Sequence, residues 1–125
     1  MELEEDLIVI KEKKKVLKIV DAFNAYCFYI GGTNVTSNLT KEDGLWKFYF
    51  KSNFDLKFLD SVKSLEKQIN EIECGNTEEM YWTLLSSEEF KDENDIYLIA
   101  TMVENAVVMI ENNVFEIKFT RVIKE

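Results

Sequence analysis

Histidine and proline are both missing from this chain of 125 residues, which also has only two cysteines. Without histidine, the chain cannot form a Ser-His-Asp triad, a Cys-His pair or the common zinc sites. A phosphorylatable histidine is excluded for the same reason. The two cysteines, Cys27 and Cys74, lack metal-ligand spacing, and neither has a predictable base beside it. We therefore expect reduced, buried thiols, with a disulfide as the alternative, and neither a metal nor a cofactor.

Long apolar runs are also missing. No uninterrupted apolar segment approaches the roughly 20 residues of a membrane-spanning helix. The first residues, Met1 to Asp6, are acidic where a secretory signal would be basic. These features predict a cytoplasmic protein that does not enter a membrane.

Positive charge is scarce, since the formal net charge is −9. Such a chain repels nucleic-acid backbones and anionic lipids wherever no local basic patch forms. The one dense basic run, Lys11 to Lys15, follows four carboxylates and is typical of a solvated helix face. The acidic run from Glu88 to Asp95 lacks the alternating ligands and central glycine of a calcium loop. We expect a protein partner, and neither nucleic acid nor a membrane.

Hydrophobic residues make up 46% of the chain, enough for one core in a single domain over 1–125. From about Lys13 to Ile30, apolar residues recur every three or four positions and predict a helix that ends at Gly31-Gly32. Residues 1–12 stay open, as an extra strand or the start of this helix. Two strands, 33–39 and 45–51, follow around an Asp-Gly turn.

The second half of the chain predicts two further helices and a closing hairpin. A helix capped by Asp55 runs to about 74, and a capping box then opens a short helix at 80–85. After an acidic connector, a third main helix is predicted at 95–104, with strands 106–110 and 114–123 around two asparagines. The order predicts an α+β two-layer sandwich, with an antiparallel or mixed sheet of about four strands and three main helices on one face.

This order of elements resembles the ATP-binding domain of histidine kinases and gyrases, the GHKL type, over roughly residues 13–122. Asn24-Ala25 is similar to the Asn-Ala of that family's first helix, whose asparagine holds the magnesium bound to the phosphates. Gly31 to Val35 is similar to the turn into its first strand. The resemblance implies a nucleotide-binding fold, with Asn24 and Asp95 as the magnesium-binding residues of a weak ATP-binding alternative.

The chemistry of such a site departs from the family pattern. Val20 stands one turn before Asn24, where the family has an acidic residue. The segment Lys51 to Asp55 contains no glycine, and Asn94 to Tyr97 replaces a Gly-x-Gly motif. Side chains thus occupy positions from which backbone amides would approach phosphate. We predict that the nucleotide site is lost and that the protein has no catalytic residues.

A further candidate contact lies in the segment Glu78 to Trp82. This segment is similar to one in small uncharacterised proteins of spore-forming Gram-positive bacteria. Tyr81 and Trp82 lie on a helix of under two turns, which can bury only one side. Exposed Tyr and Trp suit partner recognition because each offers a large contact area with few rotamers. The alternative is that both complete the core.

The leading hypothesis is a non-catalytic, regulatory protein-interaction domain, with a homodimer as one form. Its predicted binding residues are Tyr81, Trp82, Asn24 and Asp95. The alternatives are weak ATP binding and a small-ligand sensor with an aromatic pocket near Phe28, Trp46 and Phe50.

Overall fold

The structure is a computed structural model in which residues 3–71 and 95–123 are described. Its elements, in chain order, are α1 (Leu3–Tyr29), β1 (Val35–Glu42), β2 (Leu45–Asn53), a 3-10 turn (Leu56–Phe58), α2 (Leu59–Glu71), α3 (Asp95–Ala100), β3 (Glu104–Glu111) and β4 (Val114–Val122). The chain is thus α+β, as the sequence predicts.

The helix α1 begins earlier than its periodic apolar residues indicate. It starts at Leu3, so the ambiguous segment Leu7–Ile10 is helical. Its buried stripe recurs every three or four residues, which holds one side of the helix in the core. The stripe consists of Val16, Ile19, Phe23, Tyr26 and Cys27, and the buried Ile30 follows directly after the helix.

A glycine pair ends α1, as the sequence predicts. Gly31 has a φ of 94°, which favours glycine because it lacks a Cβ. Its N–H donates to Phe28 O at 3.1 Å, while the N–H of Gly32 donates to Cys27 O at 2.8 Å. These two bonds form a Schellman cap and turn the chain towards β1.

The four strands form one antiparallel sheet in the order β1-β2-β4-β3. The Asp43-Gly44 turn joins β1 to β2 with positive φ at both residues, as in a type I′ hairpin. At the β3–β4 turn, Asn112 takes the positive φ. Both predicted hairpins are confirmed.

One face of the sheet is buried. Its alternate residues join the same core cluster as apolar residues of the three helices, and the strand members are led by Phe48, Phe50, Phe115, Ile117 and Phe119. α1 contacts β1, β2 and α3, whereas α2 contacts β3 and α3. Phe23 of α1 stacks on Phe50, with 4.6 Å between ring centroids. This contact fixes α1 over the middle of the sheet.

The second helix follows its predicted cap. The carboxylate of Asp55 accepts from the N–H of Lys57 at 3.0 Å and starts a 3-10 turn that leads into α2. The residues that α2 buries, Val62, Leu65 and Ile69, have the predicted spacing.

The prediction of three main helices is not matched, since two of the described helices are long. The third, α3, spans only Asp95–Ala100. The N–H of Met102 closes a turn onto Ile99 O at 2.8 Å, while Met102 O accepts from Arg121 of β4 at 2.8 Å. The hydrogen bond between Met102 and Arg121 of β4 thus accompanies the end of α3 before β3 begins.

The predicted helix 80–85 and most of the acidic connector lie outside the described residues. Within the described part of the chain, no helix has the length and apolar character needed to cross a membrane.

Candidate interaction surface

The residues singled out in the sequence fall in different parts of the chain. Asn24 lies in the C-terminal half of α1, and Asp95 is the first residue of α3. Tyr81 and Trp82 lie outside the described residues, so their role in a contact stays a prediction. Asn24 is therefore the predicted site residue with surroundings that can be analysed.

The turn after α1 is held by a side chain of β2. Asn53 Oδ1 accepts from the backbone N–H groups of Thr33 and Asn34, each at 2.9 Å. Its Nδ2 donates to Thr33 Oγ1 at 3.0 Å. A Cβ on Gly32 would lie 2.5 Å from Ser52 Oγ, so the turn also sits directly on β2. The amides that an anion could have approached here are already bonded.

The chain after β2 forms a packed corner. Phe54 is only 2% exposed, and its ring lies edge-on to Phe115 with 5.9 Å between centroids. The N–H of Phe54 donates to Asn113 O at 2.9 Å, and that of Asp55 donates to Ile30 O at 2.8 Å. This segment closes against both α1 and the last hairpin.

A stripe of α1 outside the core combines apolar side chains with one unusual amide. Ile10, Leu17 and Asn24 are spaced seven residues apart, and Phe28 follows one turn later, so the four lie along one side of the helix. Leu17 and Phe28 are 62% and 61% exposed, and Ile10 is 48% exposed. We name these four residues the α1 flank.

The amide of Asn24 is the polar centre of the α1 flank. Its Oδ1 is shielded from solvent and accepts no hydrogen bond. A shielded acceptor without a donor costs roughly 1–3 kcal/mol. Asn24 is thus an unsatisfied polar group between exposed apolar residues.

The α1 flank lies roughly opposite the buried stripe of α1. With 3.6 residues per turn, its four residues fall about half a turn from Ile19, Phe23 and Tyr26, which are buried. Towards α2, Tyr26 Oη lies 3.2 Å from Ser61 Oγ, and the ring of Tyr29 lies 5.5 Å from that of Phe58. The α1 flank therefore points away from the sheet.

A buried ion pair connects the beginning of α1 to the end of β4. Arg121 Nε and Nη2 each donate to a carboxylate oxygen of Glu12 at 2.9 Å. The side chains of Arg121 and Glu12 are 2% and 7% exposed. A bidentate pair with this little exposure has no access to a substrate, so its role is to position α1 on the sheet.

Cys27 carries a free, buried thiol. Burial raises the pKa of Cys27 from 9.0 to about 12, against the opposing effect of a hydrogen bond with Ser52. The group is therefore a protonated thiol at neutral pH and a poor nucleophile. The prediction of a buried, reduced Cys27 is confirmed, whereas Cys74 lies outside the described residues.

The exposed face of the sheet carries paired charges. Lys47 Nζ donates to Glu42 Oε1 at 2.8 Å, and this hydrogen bond lowers the pKa of Glu42. Tyr49 Oη donates to Glu116 Oε1 at 2.5 Å, which raises the pKa of Tyr49. Carboxylates and their neighbours on this face bond to each other, as on an ordinary solvated sheet surface.

The structure does not bring the predicted aromatic pocket together. Phe50 is 1% exposed and stacks within the core, whereas Phe28 is 61% exposed on the α1 flank. Trp46 lies on the buried face of β2, under the Nζ of Lys41 at 5.1 Å from the ring centroid. The small-ligand hypothesis thus loses its lining residues because they belong to different environments.

Sequence reasoning missed Ile10, Leu17 and Phe28 as surface residues. The available signal was their position, because all three fall outside the buried stripe of α1. Among residues 3–71 and 95–123, no group of three acidic or cysteine side chains could hold a metal ion.

Comparisons of the chain with family models, curated proteins and solved structures gave no significant match.

Proposed function

We propose that this chain is a non-catalytic, cytoplasmic protein-interaction domain, a two-layer sandwich that contacts its partner through the α1 flank. The observation that carries the proposal is the shielded, donor-less Oδ1 of Asn24 between exposed Leu17 and Phe28. A partner that supplies a donor would remove the cost of the unsatisfied acceptor once the Asn24 side chain rotates and brings Oδ1 to the surface. The apolar neighbours would supply contact area around that bond.

The pairing of one amide with apolar residues favours selective recognition. A single asparagine in an apolar helix stripe selects the register and the partner, because a wrong partner leaves the amide unsatisfied. Leu17 and Phe28 offer apolar area to any partner, whereas Asn24 discriminates between partners. The α1 flank therefore has the composition of a specific contact.

The local structure near Asn24 supports loss of a nucleotide site within this proposal. Val20, one turn earlier, is apolar and packs against the core. Asn53 occupies the amides of Thr33 and Asn34, and Phe54 is buried where the resembling family has a flexible glycine loop. Each feature opposes phosphate binding for a different physical reason. Val20 carries no charge, the amide donors of Thr33 and Asn34 are already bonded, and Phe54 fills the space at its position.

The experiment compares two apolar residues with the same exposure. Leu17 is 62% exposed on the α1 flank, and Leu56 is 60% exposed on the 3-10 turn. Tagged full-length chains carrying Leu17→Glu, Phe28→Glu or Leu56→Glu are used for affinity capture with quantitative mass spectrometry. Proteins that bind the α1 flank are lost with the first two variants and retained with Leu56→Glu. Equal retention by all three variants would refute the proposal.

A thermal-shift measurement tests the nucleotide alternative. Ligands that bind the folded state raise the melting temperature by mass action. We expect magnesium and ATP to leave the melting temperature unchanged. A rise that Asn24→Ala removes would favour the ATP-binding alternative.

A further inference from the structure

The two edges of the sheet are protected very differently. At the β3 edge, Asn70 Oδ1 accepts from the N–H of Ala106 at 2.7 Å, and Asn70 Nδ2 donates to Ala106 O at 2.8 Å. Glu66 Oε1 accepts from the N–H of Val108 at 2.8 Å. Side chains of α2 thus take the place of a neighbouring strand. The irregular register beside Asn105, with φ of 59°, disrupts this edge further.

The β1 edge has no comparable cover. In a two-residue hairpin the residues next to the turn exchange hydrogen bonds, so Glu42 pairs with Leu45 and alternate residues of β1 bond to β2. The remaining residues direct their N–H and C=O groups outward: Val35, Ser37, Leu39 and Lys41. Among the described residues, no backbone or side-chain group bonds to these outward groups.

The sequence of β1 has few features that oppose pairing with another strand at its open edge. Natural edge strands are blunted by proline, bulges or inward-facing charge. Residues 35–42 contain no proline and pair with β2 without a register shift, and only Lys41 faces inward with a charge. Val35, Thr36 and Thr40 are β-branched and favour an extended strand.

We infer that β1 is a docking edge for β1 of a second copy of this chain, paired antiparallel about a two-fold axis at Asn38. This inference rests on the proposed protein-interaction function and adds a second contact surface, the β1 edge, to the α1 flank. In this register all four outward residues find a partner, Val35 with Lys41 and Ser37 with Leu39 of the other copy. Each such pair exchanges two hydrogen bonds, roughly eight in total.

Charge does not oppose a second copy at this edge. Each chain carries a net charge of −9, so two copies repel each other over most of their surface. The segment 35–42 is neutral, because Lys41 and Glu42 are its only charged residues. In the proposed register Lys41 lies opposite Val35, and Glu42 lies opposite Asn34. No like charges meet across the axis.

Symmetry favours self-pairing. On the exposed sheet face, Thr36 would lie opposite Thr40 and Asn38 opposite Asn38, which are uncharged pairs suited to cross-strand contact. The two open edges cover each other in an isologous contact. The outer edges of the joined sheet are then both β3, which α2 already caps. The α1 flanks of the two copies come to the same side of the joined sheet.

The first experiment measures mass by sedimentation equilibrium over a concentration series. The unaltered chain is expected to form a dimer. Ser37→Pro removes an outward N–H without removing a β1–β2 hydrogen bond, and proline is tolerated on edge strands. It should weaken dimerisation by about tenfold or more, since one donor is lost on each side of the axis. Ser37→Ala, which keeps the donor, should not.

A second experiment tests the register even where Ser37→Pro fails to fold. At the axis the Cα atoms of the two Asn38 residues would lie about 4.5 Å apart, within disulfide reach. Asn38→Cys is therefore expected to cross-link two chains under mild oxidation. In Thr40→Cys the equivalent atoms would lie about 14 Å apart, so no rapid cross-link is expected.

The outcomes separate this inference from the proposed function. A chain that stays monomeric, or an Asn38→Cys variant that cross-links no faster than Thr40→Cys, would overturn self-pairing through β1. Neither result affects proteins captured through Leu17 and Phe28. A dimer abolished by Leu17→Glu but unaffected by Ser37→Pro would also overturn the β1 inference, while supporting the α1 flank.

Discussion

Replacing Asn24 by leucine should stabilise the isolated domain and weaken its contact with a partner. Leucine has nearly the shape of asparagine but lacks the acceptor that is shielded and unpaired in the structure. Removing that acceptor should recover about 1–3 kcal/mol of unfolding free energy. The higher helix propensity of leucine adds up to about 0.5 kcal/mol.

The expected change in melting temperature follows from the size of the chain. For 125 residues, an unfolding entropy of about 2.1 cal/mol/K per residue gives roughly 0.26 kcal/mol/K. A gain of 1 kcal/mol therefore corresponds to a rise of about 4 °C. Asn24→Leu should raise the melting temperature by about 4–12 °C.

Urea and thermal unfolding of Asn24→Leu and of Gln68→Leu provide the assay. Gln68 is an exposed amide on α2 with a helix propensity close to that of leucine, so its replacement reports the effect of exchanging a surface amide for leucine without removing a shielded acceptor. If Asn24→Leu gained no more stability than Gln68→Leu, the reasoning about the unpaired oxygen would be wrong. Partner capture by Asn24→Leu should fall even as stability rises.

Three further predictions concern the stability of the fold. Glu12→Ala removes the bidentate Glu12 carboxylate from the buried Arg121 guanidinium and should cost about 3–5 kcal/mol in urea unfolding. The Glu12→Leu and Arg121→Met double variant should recover most of that loss, and an additive loss would contradict this. Gly32→Ala places a Cβ 2.6 Å from Cys27 O, whereas at Gly44 the φ of 77° is strained for alanine but the space around the Cβ is open. Gly32→Ala should therefore lower the melting temperature more than Gly44→Ala does. The reverse order would be inconsistent with close packing at Gly32. The pKa of Cys27 is raised from 9.0 to about 12 in the folded state, so the thiol ionises first in the unfolded chain. The contribution of this thiol to the unfolding free energy is therefore retained below pH 9 and lost as the pH rises towards 12. Cys27→Ala should make the unfolding free energy fall less steeply with pH above pH 9. An unchanged dependence on pH would contradict this role of the Cys27 thiol.

Local sequence signals predicted most of the fold. The Asp-Gly hairpin, the glycine pair after α1 and the Asp55 cap each depend on a few neighbouring residues, and the structure contains all three. The length of α3 was overestimated, because hydrogen bonding by Met102 to Arg121 of β4 is a long-range effect that periodicity does not report.

The candidate site was less accessible from the sequence. Asn24 was named from a resemblance, yet its shielded oxygen depends on the folded surroundings of α1. Leu17 was not singled out and Phe28 was named only for a ligand pocket, since an apolar residue off the buried stripe is common on helices. The contrast between the β1 and β3 edges depends on Asn70 and Glu66 reaching across from α2, which requires the strand order to be known.

The Glu12–Arg121 pair also bears on synthesis of the chain, since its members are 109 positions apart. While a ribosome extends the polypeptide, α1 emerges before β4, and the carboxylate of Glu12 meets its guanidinium only after the segment between them has been translated. The apolar stripe of α1 therefore stays incompletely covered until β4 has been synthesised. A nascent chain of this design depends on late contacts between distant segments, and it folds as a unit only once β4 is available.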